Sequence, residues 1–171
     1  MQTPDTVGDD AQFYNDLIHT NSLVVVVKAT IHIEQEVIKL IHSVVYDANA
    51  FDKIDLTYLQ RIQLAIALGL EPRFLRPLKA LGEIRNKFAH VLRHELNKND
   101  VDGFYDAFDP LDKQVIQDTY ARVRKSDVMK LRKPKKIAGL TPLDRFALCA
   151  TTLRGALISA RRGTHLHEQH S

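Results

Sequence analysis

The segment from Ser22 to Tyr46 constrains this chain more than any other. It runs for twenty-five residues with neither glycine nor proline and carries apolar side chains at three-and-four spacing. Ala29, Ile33, Val37, Leu40, Ile41 and Val44 recur at that interval with Glu, Gln and Lys between them, the period of an amphipathic helix. The four valines Val24–Val27 favour a strand locally, because β-branched side chains lose χ1 freedom in a helix. Over so long a segment the helical period decides.

The remaining chain has the same character. Leu59, Ile62 and Ile66 make one face of a predicted helix over Thr57–Leu68. Gly69 is placed to end it and Pro72 to start the next. Phe74, Leu78, Leu81, Ile84 and Phe88 line a third helix reaching about Leu92. A short helix is expected around Val101–Phe108 and another from Pro110 to about Lys125. Thr141–Pro142–Leu143–Asp144 opens a last one that reaches about Arg161. No segment reads as a strand and none repeats. The expected fold is all-α, a bundle of about five to seven helices. At 171 residues one core is the default, so residues 11–162 are read as a single domain. A flexible N-terminus (1–10), a basic connection (126–140) and a flexible tail (163–171) complete the expected layout.

Several function classes fall away early. Cys149 is the sole cysteine, which excludes a disulfide framework and a cysteine-built zinc site. The apolar run Leu23–Val27 stops at Lys28, and nothing approaches the roughly eighteen residues of a membrane span. The opening MQTPDTVGDD is acidic and polar, the wrong chemistry for a secretory signal, so a cytoplasmic location is expected. No cofactor is expected either, since there is no Gly-rich phosphate loop and no clear cluster of metal ligands.

Charge is distributed unevenly. Residues 1–60 hold nine acidic groups against three lysines, whereas the remaining 111 residues carry 21 basic and 12 acidic groups. The densest region runs from Arg122 to Lys136, where Arg122, Arg124, Lys125, Lys130, Arg132, Lys133, Lys135 and Lys136 face a single Asp127. Such a stretch attracts polyanions by neutralising phosphates and releasing their counterions, which makes RNA a candidate partner. The alternative is a solvated basic face of no particular function. No aromatics interleave with the run, so base stacking is not indicated there.

Leu81–Gly82–Glu83–Ile84–Arg85–Asn86–Lys87–Phe88–Ala89–His90 carries the most chemistry. It sets a permanent cation, an amide and an imidazole within six residues of a helix whose other face is apolar. An Arg fork matches phosphate oxygens, and an imidazole, titrating at about 6.5 when unperturbed, takes or gives a proton near neutrality. Asn86 and His90, four apart, share a face. Arg85 and His90, five apart, differ by about 140° around a straight helix. Either the helix bends here or a second subunit supplies the missing group, which predicts a symmetric dimer. The competing reading is structural, with Arg85 paired to Glu83 or another carboxylate and His90 bonded to a backbone carbonyl.

Arg85–Asn86–Lys87–Phe88–Ala89–His90 resembles the R-x4–6-H signature of the HEPN superfamily, helical domains found in many prokaryotic toxins and defence ribonucleases. The preceding segments, Leu23–Tyr46 and Leu56–Leu70, make the arrangement similar to the mannitol-operon-repressor-like branch, over roughly Leu17 to Phe108. The resemblance implies a dimer that cleaves RNA without a metal: His90 moves the proton, Arg85 stabilises transition-state charge and Asn86 positions. It also implies an antitoxin or other regulatory protein as a possible partner. The runner-up is a non-catalytic regulator or interaction module like the mannitol repressor, built from the same helices. Leu92 stands where one variant of the motif carries a modified tyrosine. Arg162 and His167 repeat the spacing in the tail without such a setting.

Weaker signals complete the reading. His32 and Glu36 share a helical face at a spacing compatible with metal ligation, although no second ligand pair accompanies them. Glu34 lies within an apolar helix, where burial requires a partner such as Arg85 and exposure on the polar stripe does not. His165, His167 and His170 crowd the tail, and Thr151–Thr152 beside Cys149 lack a nearby base.

Overall fold

A computed structural model of the chain describes the backbone of residues 4–90, 95–125 and 134–168. Eight α-helices account for most of it: α1 (Pro4–Leu17), α2 (Ser22–Val44), α3 (Ala48–Phe51), α4 (Tyr58–Ala67), α5 (Leu75–His90), α6 (Lys98–Asp106), α7 (Pro110–Lys125) and α8 (Pro142–Glu168). No strand occurs among the described residues, so the fold is the expected all-α bundle.

Local signals fix the helix ends. The Asn21 side chain accepts from the amides of Leu23 and Val24 and so caps α2. Thr57 with Gln60 and Asn97 with Asp100 form reciprocal capping boxes on α4 and α6. Thr141 accepts from the Asp144 amide ahead of Pro142, the first residue of α8. At the end of α4, Gly69 adopts φ 116°. The Leu70 amide donates to the Ala65 carbonyl and the Gly69 amide to that of Ile66, a Schellman closure that turns Leu70 into the core.

The long apolar segment becomes the central helix. Val25, Val26, Ala29, Ile33, Val37, Leu40 and Ile41 on α2 are all buried, and the helix packs against α8, α1, α4 and α5. One hydrophobic cluster extends from Val25 to Leu157. Four valines sit comfortably in a helix here because two of them, Val25 and Val26, are wholly enclosed, and burying such a side chain contributes about 1.5–3 kcal/mol. That outweighs their helix-propensity deficit of a few tenths.

Three elements depart from the sequence expectation. The short α3 has no counterpart among the helices expected from the sequence; the Asp47 side chain caps it and Phe51 anchors it in the core. The first ten residues read as frayed, yet α1 begins at Pro4. Phe13 is fully enclosed and Leu17 packs on the core, and ion pairs supply much of the remaining attachment. Asp9 pairs with Lys39 at 2.6 Å, Asp10 with Arg154 at 2.6 Å, and Asp16 with Lys28 at 2.6 Å and His32 at 2.8 Å. Apolar periodicity cannot reveal a helix docked by charge. The last helix also runs beyond Arg161, to Glu168.

Candidate nucleic-acid interface

The chain has seven arginines that are buried or half-buried among the described residues. Five of them meet carboxylates: Arg61 with Glu34, Arg73 with Asp112, Arg145 with Asp102, Arg154 with Asp10, and Arg161 with Glu36. Arg85 and Arg124 do not. Each of these two lines a cavity, and the two cavities define the site.

The first cavity lies between α4 and α5, has a volume of about 500 Å³, and is lined by Tyr58, Lys79, Gly82, Arg85 and Asn86 among others. Its floor follows from Gly82. A Cβ there would approach Tyr58 Cε1 to 2.6 Å, so only glycine lets the ring lie against α5. Tyr58 Oη donates to the Leu78 carbonyl at 2.8 Å. Burial, and next the Glu34 charge, push the phenol well above its ordinary range, against the opposing pull of Arg85. The phenol therefore stays neutral and serves as a fixed platform. The Arg85 guanidinium lies 5.7 Å from the ring centroid, a cation–π contact at its long limit.

Asn86 is exposed in the same groove, and His90 is exposed at the last residue of α5. His90 does not line the cavity. No hydrogen bond or ion pair engages its imidazole among the described residues. Among the described residues Arg85 forms no ion pair, although Glu83 lines the same cavity. α5 is a continuous helix through His90, so within one chain Arg85 and His90 point about 140° apart. Glu34, the other conceivable partner of Arg85, is committed to Arg61 at 2.5 Å.

The second cavity, about 410 Å³, lies between α6, α7, α8 and the turn that follows Pro134. Arg124, Lys135, Lys136 and Arg145 line it together with Tyr105 and Tyr120, and among the described residues no carboxylate does. Of the predicted RNA contacts, Arg124, Lys135 and Lys136 thus come together. Arg122 and Lys125 are exposed on α7 outside the cavity, and Lys130, Arg132 and Lys133 lie outside the described residues. Sequence reading missed Arg145, Tyr105 and Tyr120. The aromatics absent from the basic run arrive from the neighbouring helices, and no local pattern signals that convergence.

The weaker candidates resolve into structure. His32 bonds Asp16, while Glu36 faces Lys39, Arg154 and Arg161. Among the described residues no three ligating side chains gather. Cys149 is buried and its thiol is pushed up to about 12, chiefly by burial, which leaves it protonated and inert. No described helix is long and apolar enough to cross a membrane. The tail histidines lie outside the residues whose side chains are described. No family model, curated protein or solved structure matches the chain.

Proposed function

We propose that the chain is a HEPN-like, metal-independent endoribonuclease that works as a homodimer, with a toxin or defence role. The observation that carries this reading is the pair of uncommitted groups on α5. Arg85 is half-buried over Tyr58 with no carboxylate, and His90 is exposed with no partner among the described residues. A partly exposed guanidinium that forms no ion pair among the described residues is well suited to an incoming phosphate.

In the proposed step the ribose 2′-oxygen attacks its neighbouring phosphorus, and the bond to the 5′-oxygen of the next nucleotide breaks. The products end in a 2′,3′-cyclic phosphate and a 5′-hydroxyl. His90 moves the proton, Arg85 stabilises the added charge on the phosphoryl oxygens and Asn86 orients the strand. Because Arg85 and His90 diverge on one helix, each site takes its Arg from one copy and its His from the other. Leu59, a large apolar side chain exposed beside Arg85, provides contact surface for that second copy.

Purified protein incubated with total RNA in EDTA tests the reading. Cyclic-phosphate products should appear with the wild type and vanish with Arg85→Ala and with His90→Ala, at unchanged helical circular dichroism. Mixing the two inactive variants should restore cleavage, because one of the two composite sites in each mixed dimer is then intact. Cleavage retained in both single variants rejects the assignment. Intact RNA with a salt-sensitive gel shift favours the runner-up, a regulator resembling the mannitol repressor.

A further inference from the structure

We propose that the cavity between α6, α7, α8 and the Pro134–Gly139 turn is a preformed site for a nucleoside monophosphate, either free or as one unit of an RNA strand. The inference does not rest on cleavage at Arg85 and His90. It rests on a charge imbalance together with a wall that is already fixed.

The imbalance is local. Arg124, Lys135, Lys136 and Arg145 all line the cavity, and among the described residues only Arg145 has a carboxylate, Asp102, which itself lies outside the lining. Among the other half-buried arginines described, Arg61, Arg73 and Arg161 each meet a carboxylate and only Arg85 does not, so this is not a general surplus spread over the surface. Three cations converging without an acid among the described residues form a trap for phosphate oxygens, whether the dianion of a free monoester or the single charge of a phosphodiester within a strand.

The wall is held by hydrogen bonds from α7. Tyr120 Oη donates to the Pro134 carbonyl at 2.7 Å, and an Arg124 Nη donates to the Lys135 carbonyl at 3.3 Å. The turn is tight enough that a Cβ on Gly139 would stand 2.9 Å from Pro134 Cβ. Lys135 and Lys136 are therefore presented by a pinned segment, which lowers the ordering cost of capture. Tyr120, Ala121, Ile137 and Ala138 supply an apolar flank beside the cations. A bare phosphate would leave that flank uncovered. A nucleotide places its phosphate on the lysines and its sugar and base on the flank.

Calorimetric titration of the full chain with adenosine 5′-monophosphate, inorganic phosphate and adenosine tests the proposal. The nucleotide should bind about tenfold more tightly than phosphate, in line with the worth of covering a base face, and adenosine alone should give no measurable heat. Lys135→Ala/Lys136→Ala, two exposed side chains, should weaken nucleotide binding at least tenfold, whereas Lys53→Ala should leave it unchanged. Competition with a labelled RNA oligonucleotide then separates the sources. Displacement by the nucleotide assigns the pocket to a strand unit, and co-binding assigns it to a free nucleotide. Absence of heat at millimolar nucleotide, or equal affinity in the double variant, overturns the proposal. Wild type that binds the nucleotide but cuts no RNA keeps the pocket and loses the nuclease, and the converse result separates them the other way.

Discussion

The α1 face and the α7–α8 cavity use the same side-chain chemistry to opposite ends. On α1, Asp9, Asp10 and Asp16 each meet a cation from α2 or α8, and the result is a docked helix. At the cavity Arg124, Lys135 and Lys136 meet no carboxylate among the described residues, and the result is an open anion trap. Charge matching in this molecule distinguishes structural from available groups better than burial does. Arg61, Arg73 and Arg161 are half-buried and paired, whereas Arg85 and Arg124 are equally half-buried and form no ion pair among the described residues.

That contrast is broken most forcefully at Arg154. Its side chain is 5% exposed, pairs with Asp10, approaches Glu36 Oε1 at 3.5 Å and covers the Phe13 ring at 4.7 Å. Glu36 is itself almost fully enclosed. Arg154→Met leaves Glu36 to Lys39 and Arg161 and uncovers Phe13, and losing a buried charge-assisted partner of this kind costs about 1.5–3 kcal/mol. Urea unfolding should show the loss as a lower midpoint. Lys135→Ala/Lys136→Ala, on the unmatched side of the comparison, should shift stability by less than about 0.5 kcal/mol. Equal shifts would dissolve the distinction.

Gly82→Ala comes next. The added methyl meets the Tyr58 ring, which is held between Leu78 and Arg85, so the ring or α5 must move. Overpacking of this kind costs about 1–3 kcal/mol. It should also displace the platform under Arg85, so RNA cleavage should fall more than the melting temperature suggests. Unchanged cleavage would show that the platform does not position Arg85.

The ionic docking of α1 carries a pH signature. In Asp9 the Lys39 hydrogen bond outweighs the effect of burial, and in Asp16 burial is outweighed by the combined bonds from Lys28 and His32, so both carboxyls titrate below their ordinary value. A folded-state pKa below the unfolded one contributes stability that is fully present above about pH 4 and is lost as pH falls through the depressed values. Hydrogen exchange should therefore show α1 amides losing protection on acidification before those of α2. Simultaneous loss would place α1 within the main cooperative unit.

How far the sequence foretold this depends on which force built each part. α2, α4, α5 and α7 were legible because apolar period and caps act locally, as at Asn21 and Thr57. Helix α1 was not, since Asp9 and Lys39 lie thirty residues apart and ion pairs leave no periodicity. The Arg85–Asn86–His90 cluster was legible as residue types on one helix. Its platform was not, because the contact between Gly82 and Tyr58 spans two elements. Tyr105, Tyr120 and Arg145 belong to three helices, and only the folded chain collects them around Lys135 and Lys136.

A small expected change in stability at Arg85 is the most informative about function. Arg85 has one described interaction, the 5.7 Å contact over Tyr58, and it meets no carboxylate among the described residues. Cation–π contacts at partly exposed sites contribute about 0.5–1 kcal/mol, so Arg85→Ala should lower stability by no more than that. RNA cleavage should nevertheless disappear. Arg85→Lys keeps the charge but loses the fork that fits two phosphoryl oxygens, so it should recover only a minor part of the activity. The two variants together separate a guanidinium that serves phosphate from one that serves packing. If Arg85→Ala destabilises the fold as severely as Arg154→Met, the guanidinium is structural, and charge matching ceases to mark which cations are free to act.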